Sequence, residues 1–153
     1  GGFAAARYAL SFPGMVDFVI PLAPVISGEL SFESWREFQP EILTKWKKEG
    51  VLVSESQSIP GMMKIKPYEQ MIERLDHDLL KSVNFLNCPI LLIACEYDIS
   101  IPPKHIQIFF EKINFKNKEM HIIQGSGHTP RTESDLKKLY EIISDWLKIQ
   151  LKK

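Results

Sequence analysis

The sequence predicts an α/β fold in which parallel strands alternate with helices and a small cap is inserted. Residues 89–95 form a short, continuous apolar run, and residues 119–124 form a second strand-like run. Residues 103–113 begin with proline and have helical spacing of apolar side chains, and residues 132–151 suit a long closing helix. Strands and helices in this alternating order indicate a parallel sheet with helices on its faces.

The front of the chain adds one helix and one strand to this pattern. Small residues over 1–10 predict a helix that ends before Pro13-Gly14. Residues 17–23 contain Phe, Val and Ile in a continuous run, which is typical of a buried strand. The sheet is therefore predicted to have three parallel strands, over about 17–23, 89–95 and 119–124.

Residues 28–87 interrupt this alternation of strands and helices. They are predicted to be a cap-like insertion within one partial α/β domain that spans 1–153. Two short helices are expected over 31–50, where Ser34 and Glu37 match a capping-box pattern. Apolar side chains recur here at helical spacing, which favours core packing over a ligand site. They are Phe32, Trp35, Phe38, Ile42 and Trp46.

Proline and glycine mark the remaining boundaries of the predicted cap. Pro40 suits the first turn of the second helix, and Gly50 suits its C-terminal end. Residues 51–56 and 62–66 are expected to form a hairpin around Pro60-Gly61. A further helix is expected to begin at Pro67 and to continue to about residue 75.

Composition and charge narrow the classes of partner. Nineteen Lys and Arg balance nineteen Asp and Glu, so the net charge offers no basis for binding nucleic acid or a membrane surface. No apolar run approaches the ~20 residues that cross a bilayer, and no signal peptide is visible. Cys88 and Cys95 flank a strand and lie on the order of 23 Å apart, too far for a disulfide. Two buried thiols suit a reducing cytoplasm, so a cytoplasmic location is expected.

Two loops that follow predicted strands hold the candidate catalytic residues Asp98 and His128. In parallel α/β sheets, ligands bind beyond the carboxyl ends of the strands, where both side chains are expected to lie within hydrogen-bonding reach. A carboxylate that accepts from one imidazole nitrogen fixes the tautomer and leaves the other nitrogen to act as a base. Gly125 and Gly127 allow the sharp backbone turn that brings the ring back over the sheet.

Each of these residues has an ordinary explanation when it is considered alone. An aspartate at a strand end is usually a turn former, and a Gly-His pair is usually a loop histidine with an ordinary pKa. The order of acid and then base, each on its own loop after a strand, favours the catalytic interpretation.

Other polar residues are weaker candidates. Ser126 is too close in sequence to His128 to be activated by that ring, and Ser11 and Ser27 lack a strand-to-helix turn. His77 lies between Asp76 and Asp78, but these neighbours diverge on a helix. His105 and His121 are expected on surface or strand faces, and no two histidines have the spacing of a zinc helix, so no metal site is predicted.

The first residues, Gly1-Gly2-Phe3-Ala4-Ala5-Ala6, look like those that follow the nucleophile in G-x-S-x-G, the strand-to-helix turn of serine hydrolases. The 89–98 segment with Pro102 matches an acid segment, and 125–128 matches a histidine segment. Together these features resemble the C-terminal part of the α/β-hydrolases, in the esterase, dienelactone-hydrolase-like and serine-aminopeptidase-like branch. The resemblance covers nearly the whole chain.

The resemblance implies a serine hydrolase that acts on carboxylic ester-like bonds of a small-molecule ester or acyl substrate and needs no cofactor. Asp98 would be the acid and His128 the base, with Gly1 and Gly2 belonging to the nucleophile elbow. The serine itself would lie just before Gly1, so the chain alone is expected to be inactive. The missing N-terminal half or a second copy is expected to cover the open edge of the sheet.

Two other hypotheses remain open. The chain could be a truncated, non-catalytic remnant that acts as an interaction or structural protein, since the nucleophile and the usual oxyanion-hole loops are absent from it. It could also be an unrelated doubly wound binding domain, although no Gly-x-Gly-x-x-Gly loop supports a nucleotide site. The sequence also departs from the family's frequent Gly-x-x-Asp, because Ala94-Cys95-Glu96-Tyr97 precedes Asp98 and contains no glycine.

Overall fold

The structure is a computed structural model that describes residues 1–56 and 59–152. Along these residues the helices are α1 (Gly2–Ser11), α2 (Gly28–Phe38), α3 (Pro40–Glu49), α4 (Glu69–Glu73), α5 (Pro103–Lys112) and α6 (Glu133–Gln150). The strands are β1 (Val51–Glu55), β2 (Met63–Pro67), β3 (Ile90–Cys95) and β4 (Lys118–Ile123), and Arg74–Asp76 and Leu80–Phe85 are 3-10 helices. In the described ranges no helix is both long and apolar enough to cross a bilayer.

Strand β3 lies at the centre of the sheet that positions the candidate site. It pairs in parallel with β4, from Ile90 opposite Lys118 to Cys95 opposite Ile123. On its other side, residues 19–23 run parallel to β3 through bridges at Val19 and Leu22. The predicted parallel arrangement of three segments is therefore present.

The first predicted strand, 17–23, is not a continuous strand. The backbone of Val19 bonds to β3 through Leu91 N at 3.0 Å, and Ala23 N donates to Ile93 O at 2.8 Å. Between them stands Pro21, whose carbonyl accepts from Ile93 N at 3.2 Å but which has no N–H to donate. The missing donor interrupts the ladder at its midpoint, which leaves two bridges instead of a strand.

The two faces of β3 belong to two apolar clusters, because side chains alternate between faces along a strand. Ile90, Leu92 and Ala94 pack on one face against α1 and α5, and Leu91 and Ile93 pack on the other face against α6. Every residue of β3 is fully buried. The main partners are Ala6, Ala9, Leu10, Ile106 and Phe109 on the first face and Ile123 and Trp146 on the second.

Helix α2 begins earlier than the sequence predicts, and the expected capping box at Ser34 and Glu37 is wrong. Ser27 is the N-cap, and its hydroxyl accepts from Leu30 N at 3.2 Å. Ser34 lies inside the helix, where its hydroxyl donates to Leu30 O at 3.3 Å. An antiparallel bridge between Ser27 and Asp78 holds Ser27 extended, so a contact distant in sequence fixes where the helix starts.

The remaining boundaries in the predicted cap follow the sequence more closely. Pro40 is in the first turn of α3, and Gly50 ends that helix with a φ of +70°. β1 and β2 form the expected antiparallel hairpin, although residues 57 and 58 of its connection lie outside the described residues. The expected helix start at Pro67 is wrong, because Pro67 pairs with Val51 at the end of β2 and α4 begins two residues later.

A separate apolar cluster lies within residues 28–87. Trp46 is buried at its centre with Leu43 and Met71, and its Nε1 donates to Lys66 O at 2.8 Å. Trp35 packs edge-on against Trp46, with ring centroids 5.2 Å apart. Phe38 and Ile42 remain exposed, so part of the aromatic stripe forms this cluster and part faces solvent. The boundary of the cap at 28 and 87 stays a prediction.

Candidate active site

Asp98 lies in the loop that leaves the carboxyl end of β3, and its side chain is completely buried. Its Oδ1 accepts from Ser100 N and from Ile101 N, each at 2.9 Å. An aspartate that accepts from the backbone two and three residues ahead stabilises a tight turn and fixes its own rotamer. The second oxygen, Oδ2, is therefore held in one direction.

His128 lies in the loop that leaves β4, and Oδ2 of Asp98 is directed at its ring. The distance from His128 Nδ1 to Asp98 Oδ2 is 2.7 Å, which confirms the expected contact between the two side chains. Because an ionised carboxylate only accepts, Nδ1 must carry the shared hydrogen, and the neutral ring then has its lone pair on Nε2. The His128 side chain is 54% exposed, so this arrangement leaves a base accessible to solvent.

The parallel register brings the two loops together. Cys95 is opposite Ile123, so both strands end at the same level and their loops start side by side. Glu96 N donates to Ile123 O at 3.1 Å, and Tyr97 N donates to Ser126 O at 2.9 Å. These backbone bonds extend the pairing past the last strand residues and bring Asp98 and His128 within reach of each other.

The electrostatics of His128 follow from this contact. The hydrogen bond to Asp98 raises the pKa of His128 above its ordinary value, and the negative charge of Asp98 acts in the same direction. Partial burial opposes the rise. An aspartate of this kind stabilises the imidazolium that forms when the ring accepts a proton.

The start of α1 packs against the strand segment that lies beside β3. A Cβ on Gly2 would lie 2.4 Å from Leu22 O, so glycine allows α1 to approach the neighbouring strand segment closely. This geometry is what a strand-to-helix turn requires, and the assignment of Gly1 and Gly2 to a nucleophile elbow stays a prediction.

The other candidates do not join the site. Ser126 is buried and its Oγ donates to Gly127 O at 3.2 Å, and no serine hydroxyl within the described ranges bonds to His128. His77 stacks on Phe3, with ring centroids 4.7 Å apart, and His121 pairs with Glu119 at 3.4 Å. Among the residues that the structure describes, no group of three or more His, Cys, Asp or Glu is arranged to hold a metal ion.

Two further residues differ from the sequence analysis. His105 was expected on a surface or strand face, but it is buried in α5, and burial lowers its pKa. The expectation was wrong because the first turn of α5 packs against the core rather than facing solvent. Glu96 was not singled out, although Gly125 N donates to its carboxylate. The sequence feature that could have pointed to Glu96 is a carboxylate directly after a buried strand, and this feature is too common to indicate a functional role.

Comparison with solved structures identifies the architecture. The chain superimposes on a monoacylglycerol lipase from Paleococcus ferrophilus with a TM-score of 0.67 and 18% identity, over 98% of this chain and 65% of that chain. It also superimposes on alpha/beta hydrolase domain-containing protein 10 from mouse, with a TM-score of 0.69 and 19% identity, over 97% of this chain and 58% of that one. The chain has part of the α/β-hydrolase fold.

A monoglyceride lipase from Saccharomyces cerevisiae is a third α/β-hydrolase neighbour, with a TM-score of 0.68 and 14% identity over 98% of this chain. The present chain spans 62% of that chain, so it corresponds to about three-fifths of the α/β-hydrolase structures it matches. No protein-family model matches the sequence, and no curated protein sequence matches it. At these identities the structural neighbours establish the fold and not the activity.

Proposed function

We propose that Asp98 and His128 are the acid and the base of a serine hydrolase that cleaves carboxylic ester-like bonds. The observation that supports this proposal is the 2.7 Å contact between His128 Nδ1 and Asp98 Oδ2 at the carboxyl ends of two adjacent parallel strands. The buried carboxylate is held by two backbone N–H groups, and the half-exposed ring keeps Nε2 free for substrate chemistry. This is the geometry in which an imidazole acts as a general base.

In the proposed reaction, a serine hydroxyl attacks the ester carbonyl while His128 Nε2 accepts its proton. Asp98 holds the ring and stabilises the imidazolium. The tetrahedral intermediate then collapses, and His128 returns the proton to the departing alcohol. Water then attacks the acyl-enzyme while His128 again accepts and returns a proton, and the carboxylic acid is released. These steps need no cofactor.

We place the nucleophilic serine just before Gly1. The likeness of Gly1-Gly2-Phe3-Ala4-Ala5-Ala6 to the residues that follow the nucleophile in G-x-S-x-G supports this placement. The close approach of Gly2 to Leu22 O is consistent with the tight turn that exposes such a serine. The 153-residue chain on its own is then inactive, because His128 has no hydroxyl to activate.

The substrate class rests on the names of the structural neighbours. Two of the neighbours described above are a monoacylglycerol lipase and a monoglyceride lipase, and both names denote cleavage of a carboxylic ester. We therefore propose a small-molecule ester or acyl compound as the substrate of the whole enzyme.

The test compares the 153-residue chain with a polypeptide extended upstream through the preceding strand and turn and through the loops that supply the oxyanion hole. The extended protein should hydrolyse an activated short-chain ester and react with a fluorophosphonate probe, and the shorter chain should do neither. His128→Ala in the extended protein should reduce turnover by roughly 10⁴-fold or more, since the base is removed. His121→Ala is the matched control, because this histidine lies on β4 away from Asp98.

Two results would contradict the proposal. Labelling of a serine within the 153 residues would show that the nucleophile is not upstream of Gly1. An extended protein that contains the serine turn, folds, and still neither labels nor turns over ester would favour the non-catalytic remnant.

A further inference from the structure

The carboxylate of Glu96 contacts the loop that carries His128, although Glu96 belongs to the loop that carries Asp98. Gly125 N donates to Glu96 Oε2 at 2.8 Å. With the Gln124 amide oriented by its hydrogen-bonding surroundings, its nitrogen donates to Glu96 Oε1 at 2.9 Å and to Oε2 at 3.2 Å. The backbone N–H of Glu96 also donates to Ile123 O at 3.1 Å. Glu96 therefore bonds to three successive residues at the end of β4.

These three residues form the turn that determines where His128 lies. Gly125 has a φ of +80°, a left-handed conformation that glycine adopts without strain, and the chain reverses there before it reaches the histidine. The turn is exposed at Gln124 and Gly125, so packing does not immobilise it. Hydrogen bonds to an ionised carboxylate are stronger than neutral ones, and two of them converge on Glu96.

We infer that Glu96 is a positioning residue, whose carboxylate holds the turn at Gln124 and Gly125 so that the His128 ring reaches Asp98. Glu96 forms no hydrogen bond with either ring nitrogen of His128, and the carboxylate whose charge acts on that ring is Asp98. Its effect on His128 is therefore conformational. The inference rests on the proposed function only in one respect, namely that His128 is a catalytic base.

Three substitutions in the 153-residue chain separate the effect of the length of the Glu96 side chain from the effect of its charge. Glu96→Ala removes both the carboxylate and its charge. Glu96→Asp keeps the charge but withdraws the carboxylate by about 1.5 Å, which breaks the contact with Gly125 N. Glu96→Gln removes the charge but keeps an acceptor oxygen at the same distance, and the Gln124 amide can turn to accept from its new neighbour. Glu141→Ala, an exposed carboxylate on α6, is the matched control.

The measurements are an NMR titration of the His128 Cε1–H signal and the hydrogen-exchange rate of the Gly125 amide. In Glu96→Ala and Glu96→Asp, the titration midpoint of His128 should fall toward the ordinary value for histidine, because the bond to Asp98 forms less often. The Gly125 amide should exchange roughly tenfold faster or more, since its acceptor is lost. Glu96→Gln should change both measurements less than Glu96→Asp does, because it keeps the acceptor in place and loses only the added strength of the charge. Glu141→Ala should match the unsubstituted chain on both measurements.

The pattern across the variants decides the inference. If Glu96→Asp matches the unsubstituted chain and Glu96→Gln does not, the effect follows charge and the inference is wrong. It is also wrong if none of the variants changes His128 and Gly125. Should Glu96→Ala fail to fold, the comparison still rests on Glu96→Asp, which is expected to change both measurements more than Glu96→Gln. The measurements use no substrate, so a failed ester assay leaves this result independent of the proposed function.

Discussion

At the scale of single residues, the site depends on one buried carboxylate that serves two loops. Asp98 uses Oδ1 to hold its own turn through Ser100 N and Ile101 N, and Oδ2 to hold His128. The two oxygens have separate roles, so replacing Oδ2 by an amide nitrogen still allows Oδ1 to accept from Ser100 N and Ile101 N. The local turn and the orientation of the imidazole can therefore be separated by one substitution.

Asp98→Asn should lower the pKa of His128, because the side-chain hydrogen bond to Asp98 is the largest cause of its raised value. The asparagine can still accept from Ser100 N and Ile101 N, but its NH₂ would face Nδ1 and cannot accept from it. NMR titration of the His128 ring measures the change. Asp145→Asn on α6, which removes a carboxylate paired with Lys148, should leave the His128 midpoint in place. An unchanged midpoint in Asp98→Asn would show that the contact does not govern the ring.

The same contact makes stability depend on pH in a defined direction. The pKa of His128 is raised in the folded chain, so the charged ring binds its proton more tightly there than in the unfolded chain. The resulting stabilisation is fully present below the ordinary histidine value of ~6.5 and is lost as pH rises through the higher folded value. Urea unfolding at several pH values should therefore show that the loss of stability in Asp98→Asn is larger below this window than above it. A difference that grows with rising pH would contradict the direction of the shift.

At the scale of elements, long-range contacts determine where the helices of the predicted cap begin. The start of α2 packs against the 3-10 helix at Arg74–Asp76, and Gly28 N donates to His77 O at 2.7 Å. A Cβ on Gly28 would lie 2.0 Å from Arg74 O and 2.5 Å from the Leu75 Cα. Both of these atoms belong to the backbone, so no side-chain rotation relieves the clash.

Gly28→Ala should therefore lower the free energy of unfolding by about 2–3 kcal/mol, since overpacking against backbone forces the two segments apart. Urea denaturation, with the slope checked for constancy, measures the change. Gly127→Ala is the control, because nothing lies within 4 Å of a Cβ there, and its effect should stay within about 0.5 kcal/mol. Equal stability of the two variants would mean that α2 and the 3-10 helix are not packed as described.

At the scale of the whole molecule, the sheet has an edge, at residues 19–23, that pairs with no further strand within the described residues. The backbone groups of Val19, Pro21 and Ala23 point toward β3, so those of Ile20 and Leu22 point away from it. Within residues 1–56 and 59–152, these outward groups have no backbone partner. Open edges template pairing with other chains, and proteins generally cover or disrupt them.

The isolated chain should therefore associate in solution. Light scattering should report a species larger than the 17.6 kDa chain, because a second copy pairs with the open edge at Ile20. The polypeptide extended upstream, which contains the preceding strand, is the control and should have this edge covered within one molecule. A stable, well-folded monomer of the 153-residue chain across the concentration range would contradict the prediction.

The sequence by itself determined the parts of this protein that depend on local patterns. A continuous apolar run marks β3, proline marks the start of α5, and the stretch 132–151 was expected to form the closing helix that is observed as α6. Asp98 and His128 could be identified because each follows a strand, and the carboxyl ends of parallel strands lie at one edge of a sheet. These features depend on neighbours a few residues away along the chain.

Only the tertiary structure decided features that depend on contacts between distant residues. The start of α2 depends on the bridge from Ser27 to Asp78, and the role inferred for Glu96 depends on Gly125, which is 29 positions away in the sequence. The interruption at Pro21 matters because its missing N–H falls on the side that faces β3. Hydrophobic periodicity specifies which side chains are buried, but register and loop packing specify which polar groups meet, and these are set only when the strands pair.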